Sequence, residues 1–153
     1  MKGEAEAIVV PFRVLEERWV DEEVLERDIE TLEAVRTYNA GHYLEAHELF
    51  ELIWMRQGGA QKIFYQGLVH LAMGFHYLVA GDYDRASAKL QRAAELLEDF
   101  AVDFLGFDVW TLRGSVALCQ HRLAELGASG ITRFDRTLIP RLRLLPHATQ
   151  EAR

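Results

Sequence analysis

The fold of this chain is indicated by a short stretch that occurs twice. Residues 40–46 read Ala-Gly-His-Tyr-Leu-Glu-Ala, and residues 80–86 read Ala-Gly-Asp-Tyr-Asp-Arg-Ala. In each copy the glycine suits a tight turn between two antiparallel helices, because glycine tolerates positive φ angles. The tyrosine would pack at the start of the second helix, and the alanine one turn later would let the helices approach closely. The repeat therefore predicts two helical hairpins.

Apolar residues at helical spacing extend outward from both copies and predict five helices. The first begins at Asp21, which suits an N-cap, and ends near Tyr38, where Asn39 and Gly41 suit a C-cap. The others are predicted over residues 42–54, 61–79, 83–100 and 108–126. The 61–79 segment is apolar on nearly all sides, so we expect it in the middle of a bundle or under a subunit interface. The predicted fold is an all-α, compact bundle with a short extended stretch at residues 8–10.

The composition fits a single domain over residues 1–153, with a core over residues 21–126. The chain is 50% hydrophobic and 27% charged, as in ordinary globular proteins. We find no apolar run of the ~18 residues that a membrane span needs, and the N-terminal run is too short for a secretory signal. We therefore expect a cytoplasmic protein with no membrane partner. Cys119 is the only cysteine and is expected in the core, not as a nucleophile.

Charge is distributed unevenly along the chain. Residues 1–56 carry six basic and fourteen acidic side chains, whereas residues 109–153 carry seven basic and three acidic ones. The acidic front argues against a nucleic-acid partner, because phosphates are bound by clustered Lys and Arg. The C-terminal segment 127–153 is predicted to be extended, since Pro140 and Pro146 interrupt it. We expect this basic segment to dock onto an acidic partner or onto the acidic half of the same chain, and we favour the second.

A family resemblance rests on residues 38–48, Tyr-Asn-Ala-Gly-His-Tyr-Leu-Glu-Ala-His-Glu, and on the following Glu51 and Trp54. These residues resemble a family known as domain of unknown function 309. The resemblance continues through Gln66-Gly67-Leu68, Ala72, Gly81, Ala86 and, more faintly, residues 106–109, and it spans about residues 38–123. It departs at residues 55–57, Met-Arg-Gln, where the family is often acidic. The resemblance implies an all-helical fold and no activity, because the family has none assigned.

Residues 81–93 also resemble the second half of a tetratricopeptide repeat. The two copies here are forty residues apart, however, whereas that repeat has a period of about 34 residues. Two copies are also fewer than a solenoid needs. We therefore expect a compact bundle with tetratricopeptide-like hairpins and no open superhelix.

Polar residues on the second and third predicted helices form the candidate functional cluster. Its members are His47, Glu48, Glu51, Trp54, Gln66 and His70. On an ideal helix His47 and Glu51 face the same way, because residues four apart are neighbours. On the third helix Gln66 and His70 belong to the one polar row of an apolar surface. If the two rows face each other, the four side chains converge.

Two interpretations of this cluster stay open. In the favoured one it is a buried hydrogen-bond network, in which Glu51 accepts from His47 or a tyrosine and Gln66 bridges two helices. In the other it is a divalent-metal or general acid/base site with His47 and Glu51 as ligands, since imidazole and carboxylate at this spacing can bind a metal. The segment lacks the second histidine of a zinc-protease helix and the Glu-x-x-His of a di-iron bundle. We therefore expect no resident cofactor.

The sequence leaves open whether the chain is an enzyme. It contains no phosphate-binding loop, no Gly-x-Ser-x-Gly elbow and no Cys-x-x-Cys pair. The predicted function is a non-enzymatic binding or assembly module that binds a protein partner or forms a homo-oligomer through the third helix or the C-terminal segment. The alternative is a small metal-dependent hydrolase that uses His47, Glu48 and Glu51, with His70 as a further participant.

Overall fold

The computed structural model describes residues 22–145, with side chains from Ile29 onward. The predictions for residues 8–10, for the N-cap Asp21 and for Pro146 lie outside the described residues. The chain divides into two units, the second of which begins at Thr31. The candidate cluster lies entirely within this second unit.

Five α-helices are present between residues 22 and 145, as the sequence predicts. They are α1 (Glu22–Asn39), α2 (Tyr43–Trp54), α3 (Gly59–Ala80), α4 (Tyr83–Leu97) and α5 (Val109–Gly130). Two short antiparallel strands, β1 (Asp103–Phe104) and β2 (Phe107–Asp108), form a hairpin before α5. Single 3₁₀ turns follow α5 at Ile131–Arg133 and Arg136–Leu138. The all-α prediction is confirmed.

Helix α3 is the central helix and packs against both α2 and α4, while α4 packs against α5. Ten residues of α3 are buried, which confirms the predicted central position. By length and composition α3 could also cross a membrane, contrary to the sequence expectation. This is weak evidence for a span, because 56% of the apolar window is buried inside the protein, as in the core helix of a soluble bundle.

Two glycines let α3 and α4 lie close together. A Cβ atom on Gly74 would be 2.6 Å from Cδ2 of Leu90, and one on Gly67 would be 2.8 Å from Cδ2 of Leu97. Carbon atoms in contact normally lie about 3.5–4.0 Å apart. Both leucines are fully buried and have little room to move. The sequence analysis assigned no packing role to either glycine.

The duplicated stretch forms two similar turns, as predicted. Gly41 and Gly81 have φ angles of 89° and 83°, in the left-handed region that favours glycine. Ala46 and Ala86, one turn into the following helices, are completely buried. The two predicted glycine turns are therefore present, whereas the likeness of the hairpins to tetratricopeptide repeats stays a prediction.

The C-terminal segment packs onto its own chain, which agrees with the favoured sequence interpretation. Asn39 at the end of α1 holds it from both sides: Nδ2 donates to the carbonyl of Leu142 at 2.9 Å, and Oδ1 accepts from the Leu142 amide at 2.8 Å. The Tyr38 hydroxyl donates to the carbonyl of Pro140 at 2.8 Å. Leu142 and Phe134 are buried in the core.

The docking of this segment is not ionic, contrary to the expectation from its charge. Among its described arginines, only Arg143 forms an ion pair, at 3.4 Å from Asp108. Asp108 does not belong to the acidic front of the chain. Apolar burial and the hydrogen bonds at Asn39 therefore hold the segment in place.

The structure differs from the sequence predictions in four local details. A β-hairpin at Gly106 was not predicted, and α4 ends at Leu97, not at Phe100. The helix predicted to end at residue 126 extends to Gly130, with a kink at Gly127, whose φ is 69°. The segment after it contains 3₁₀ turns where extended backbone was expected. Apolar patterns in the sequence do not determine where a helix or turn ends, because single hydrogen bonds decide its last residue.

Candidate functional site

Helix α2 presents the predicted polar row beside its buried face. Nε2 of His47 lies 3.7 Å from Oε1 of Glu51, and the two side chains are 20% and 44% exposed. This distance allows an ion pair when His47 is protonated but is too long for a hydrogen bond. Glu48 is exposed and is not part of this pair.

Helices α2 and α3 form an antiparallel pair that brings the two predicted rows together. Their ring contacts are Phe50 with Tyr65, at 6.4 Å between centroids, and Tyr43 with Phe75, at 6.1 Å. The charge of His47 acts on His70 across this helix pair, so the two histidines lie near each other. At the end of the row, Nζ of Lys62 lies 5.5 Å from the centroid of the Trp54 ring.

Three buried polar atoms on these rows have no hydrogen-bond partner. They are Nδ1 of His47, Nε1 of Trp54 and Nδ1 of His70. Buried polar atoms are usually paired, and leaving one unpaired costs about 1–3 kcal/mol. The favoured interpretation of a closed, buried network therefore does not fit, because Glu51 is partly exposed and both histidines keep an unpaired nitrogen.

Helix α4 contributes a row of cations along the other side of α3. Cζ of Arg85 lies 5.8 Å from the Tyr77 ring centroid. Burial lowers the pKa of His70, and the charges of Lys89, Arg92 and His47 lower it further. Lys89 and Arg92 therefore lie close enough to act on His70. Together these three rows form the polar face, which consists of His47, Glu51, Trp54, Lys62, Gln66, His70, Met73, Tyr77, Arg85, Lys89 and Arg92.

The metal interpretation was tested on the side chains that could supply ligands. Within the part of the chain that the structure describes, no three His, Cys, Asp or Glu side chains are arranged to hold a metal ion. His47 and Glu51 remain a pair without a third ligand of this kind, and Glu48 is separate from them. A stable protein site normally needs three or four such ligands. Among the described residues, the donor set therefore does not complete a metal site.

The only cysteine lies in the core, as predicted. Cys119 is completely buried, and its thiol donates to the carbonyl of Leu138 at 3.3 Å. Burial raises the pKa of Cys119 to about 11, so the thiolate is scarce at neutral pH.

A second candidate surface, which the sequence analysis missed, lies on α5. Trp110 is 68% exposed and Leu118, two turns further along, is 52% exposed. The amide of Trp110 donates to the carbonyl of Val102, which is itself 63% exposed. Beside them a groove of about 520 Å³ runs between α4 and α5. These residues, Val102, Trp110, Gly114, Ala117 and Leu118, are called the α5 face below.

The family comparison covers the polar face except for Lys89 and Arg92. Residues 31–88 match the model of a family described as domain of unknown function (DUF309). The match supports the predicted resemblance over this part of the chain and includes both glycine turns and all six residues of the predicted cluster. The α5 face lies beyond it. No curated protein matches the chain, and the family description names no activity.

Proposed function

We propose that this chain is a non-enzymatic assembly module that binds a second copy of itself through the α5 face. One observation carries the proposal: a tryptophan, Trp110, is 68% exposed on the same helix as the exposed Leu118 and next to the exposed Val102. Tryptophan is enriched at the centres of protein interfaces, where burial of its large ring contributes strongly to affinity. Contiguous apolar patches on a protein surface commonly mark such interfaces.

A second copy fits this face because its apolar residues are arranged symmetrically. Trp110 and Leu118 lie four residues before and four residues after Gly114. If two α5 helices cross antiparallel at Gly114, Trp110 of each copy meets Leu118 of the other, as a two-fold interface requires. A Cβ atom on Gly114 would meet open space, so nothing in the chain itself covers the crossing point. The absence of a side chain there lets the helices approach closely.

The two surfaces that the sequence suggested for self-association are less suitable. Most apolar residues of α3 are buried by the packing of α2 and α4, and Ile63 is an exposed exception. The C-terminal segment buries its own Phe134 and Leu142. The α5 face has no such cover in the described part of the chain, which favours it as the interface.

The chemistry of the predicted cluster supports a non-enzymatic role. His47 and Glu51 are not hydrogen-bonded to each other, and no third metal ligand accompanies them among the described residues. Cys119 is buried and mainly protonated. The arrangement therefore lacks the activated nucleophile or metal-bound water on which a hydrolase depends.

Sedimentation equilibrium of the full chain over about 1 to 100 μM tests the proposal. We expect a concentration-dependent dimer for the wild type and a monomer for Trp110→Glu with an unchanged circular-dichroism spectrum. Met55→Glu is the matched control, because Met55 is 65% exposed but lies at the end of α2. It should dimerise like the wild type. A monomeric wild type, or equal dissociation by both substitutions, would overturn the proposal.

A further inference from the structure

The polar face combines buried hydrogen-bond donors with cations that have no acidic partner. Trp54 Nε1 can only donate a hydrogen bond, and each neutral histidine ring carries one N–H group. Lys62 and Lys89 form no ion pair with any carboxylate among residues 29–145, whereas Arg85 is paired with Asp82 and Arg92 with Glu95. Unpaired donors and cations together require acceptor atoms with negative charge. Carboxylates provide both properties in one group.

The electrostatic environment of His70 supports the same conclusion. Every charged neighbour that shifts the pKa of His70 lowers it: Lys89 and Arg92 from α4 and His47 from α2. Lys89 and Arg92 therefore bring positive charge close to His70, although the chain as a whole carries a net charge of −7.

The dimensions of the polar face fit an extended chain better than a small molecule. From Lys62 to Tyr77 the row on α3 covers about 22 Å, at a rise of 1.5 Å per residue. An extended peptide covers this distance with about seven residues. The groove beside the α5 face includes none of the residues of the polar face, so that groove is a separate feature.

From this combination we infer that the polar face binds an extended acidic segment of a partner protein. Carboxylates of the segment pair with Lys62 and Lys89, and rotation of the partly exposed Trp54, His47 and His70 side chains brings their unpaired nitrogens within hydrogen-bond distance of the segment. Glu51 lies on the same face and repels acidic groups, so those groups are placed towards the α3 and α4 rows. The site is independent of self-association, because α5 contributes no residue to it.

The test uses fluorescence anisotropy of a labelled eight-residue peptide with alternating Glu and Gly, titrated with the full chain. The net charge of −7 opposes non-specific attraction of this peptide. We expect saturable binding, and an affinity about tenfold lower for Lys89→Glu and for Lys62→Glu, since each reverses the charge of one contact. Arg141→Glu is the control, because it changes the net charge equally at an exposed position of the C-terminal segment.

A second substitution separates the hydrogen bond from the charge. Trp54→Phe removes the unpaired Nε1–H, keeps an aromatic ring for Lys62, and should weaken peptide binding several-fold while the net charge is constant. The inference is overturned by a lack of saturable binding, or by an equal loss of affinity in Arg141→Glu. It is also overturned if the Lys-for-Glu version of the peptide, or an eight-nucleotide single-stranded RNA, binds as tightly as the acidic peptide.

Discussion

The close packing of α3 on α4 makes Gly74→Ala a sensitive test of the structure. The added Cβ would lie 2.6 Å from Cδ2 and 2.8 Å from Cγ of Leu90, and 3.2 Å from the Leu90 backbone nitrogen. Rotation of the Leu90 side chain cannot relieve all three contacts, because one of them involves the backbone. Leu90 is also completely buried. The helices must therefore separate locally.

The expected magnitude follows from two opposing effects. Overpacking of a core costs about 1–3 kcal/mol, while alanine favours a helix interior over glycine by about 1 kcal/mol. We therefore expect Gly74→Ala to lower the free energy of unfolding by about 1 kcal/mol. Without the close contact, Gly74→Ala would raise the free energy of unfolding. The sign of the change thus reports on the α3–α4 distance.

Urea denaturation followed by far-ultraviolet circular dichroism measures this change. A double-mutant cycle with Leu90→Ala provides the control, since it removes the side-chain atoms nearest to the added methyl group. Leu90→Ala alone should cost about 2–5 kcal/mol, and in that background Gly74→Ala should destabilise the protein less than in the wild type, because only the 3.2 Å contact with the Leu90 backbone nitrogen remains. A wild-type background in which Gly74→Ala already stabilises the protein would refute the close packing.

Four further outcomes are expected. Gly81→Val should lower the melting temperature more than Gly58→Val, because Gly81 has a φ of 83° whereas Gly58 has a φ of −136°; equal melting temperatures would contradict this. Neither a chelator nor added Zn²⁺ should change the melting temperature of the wild type or of Glu51→Gln. A wild type whose melting temperature falls with chelator would restore the metal interpretation. Burial lowers the pKa of His70, so the unfolded chain binds that proton more readily; stability should be full above the ordinary value of 6.5 and decline as the pH falls below it. His70→Gln should reduce this decline in urea titrations at several pH values, and an unchanged decline would show that other groups cause it. Cys119 should react with a disulfide reagent only when the protein unfolds, because its thiol is buried and has a pKa of about 11; rapid labelling of the native chain would contradict its core position.

Much of the candidate site could be anticipated from spacing alone. Residues four apart share a helix face, so the row of His47 and Glu51 follows from the sequence once α2 is recognised. The position of this row next to His70 depends on the antiparallel pairing of α2 with α3, which the turn at Gly58 favours. The cations from α4 could not be assigned to the same face, because their position depends on how closely α4 packs against α3. The unpaired nitrogen atoms are likewise a property of the packed structure, since they depend on which neighbours reach them.

The sequence by itself determined the five helices, the two glycine turns and the central position of α3. These features depend on hydrogen bonds between residues four apart and on the periodicity of apolar side chains, which are local properties. Only the tertiary structure decided that Asn39 holds Leu142, which is distant in sequence, and that Gly74 contacts Leu90. It also decided that Trp110 faces outward although its neighbours Val109 and Leu112 are buried. An apolar residue on a helix follows the same periodicity whether it faces a neighbouring helix or solvent. Only the position of the other helices distinguishes a buried apolar residue from an exposed one.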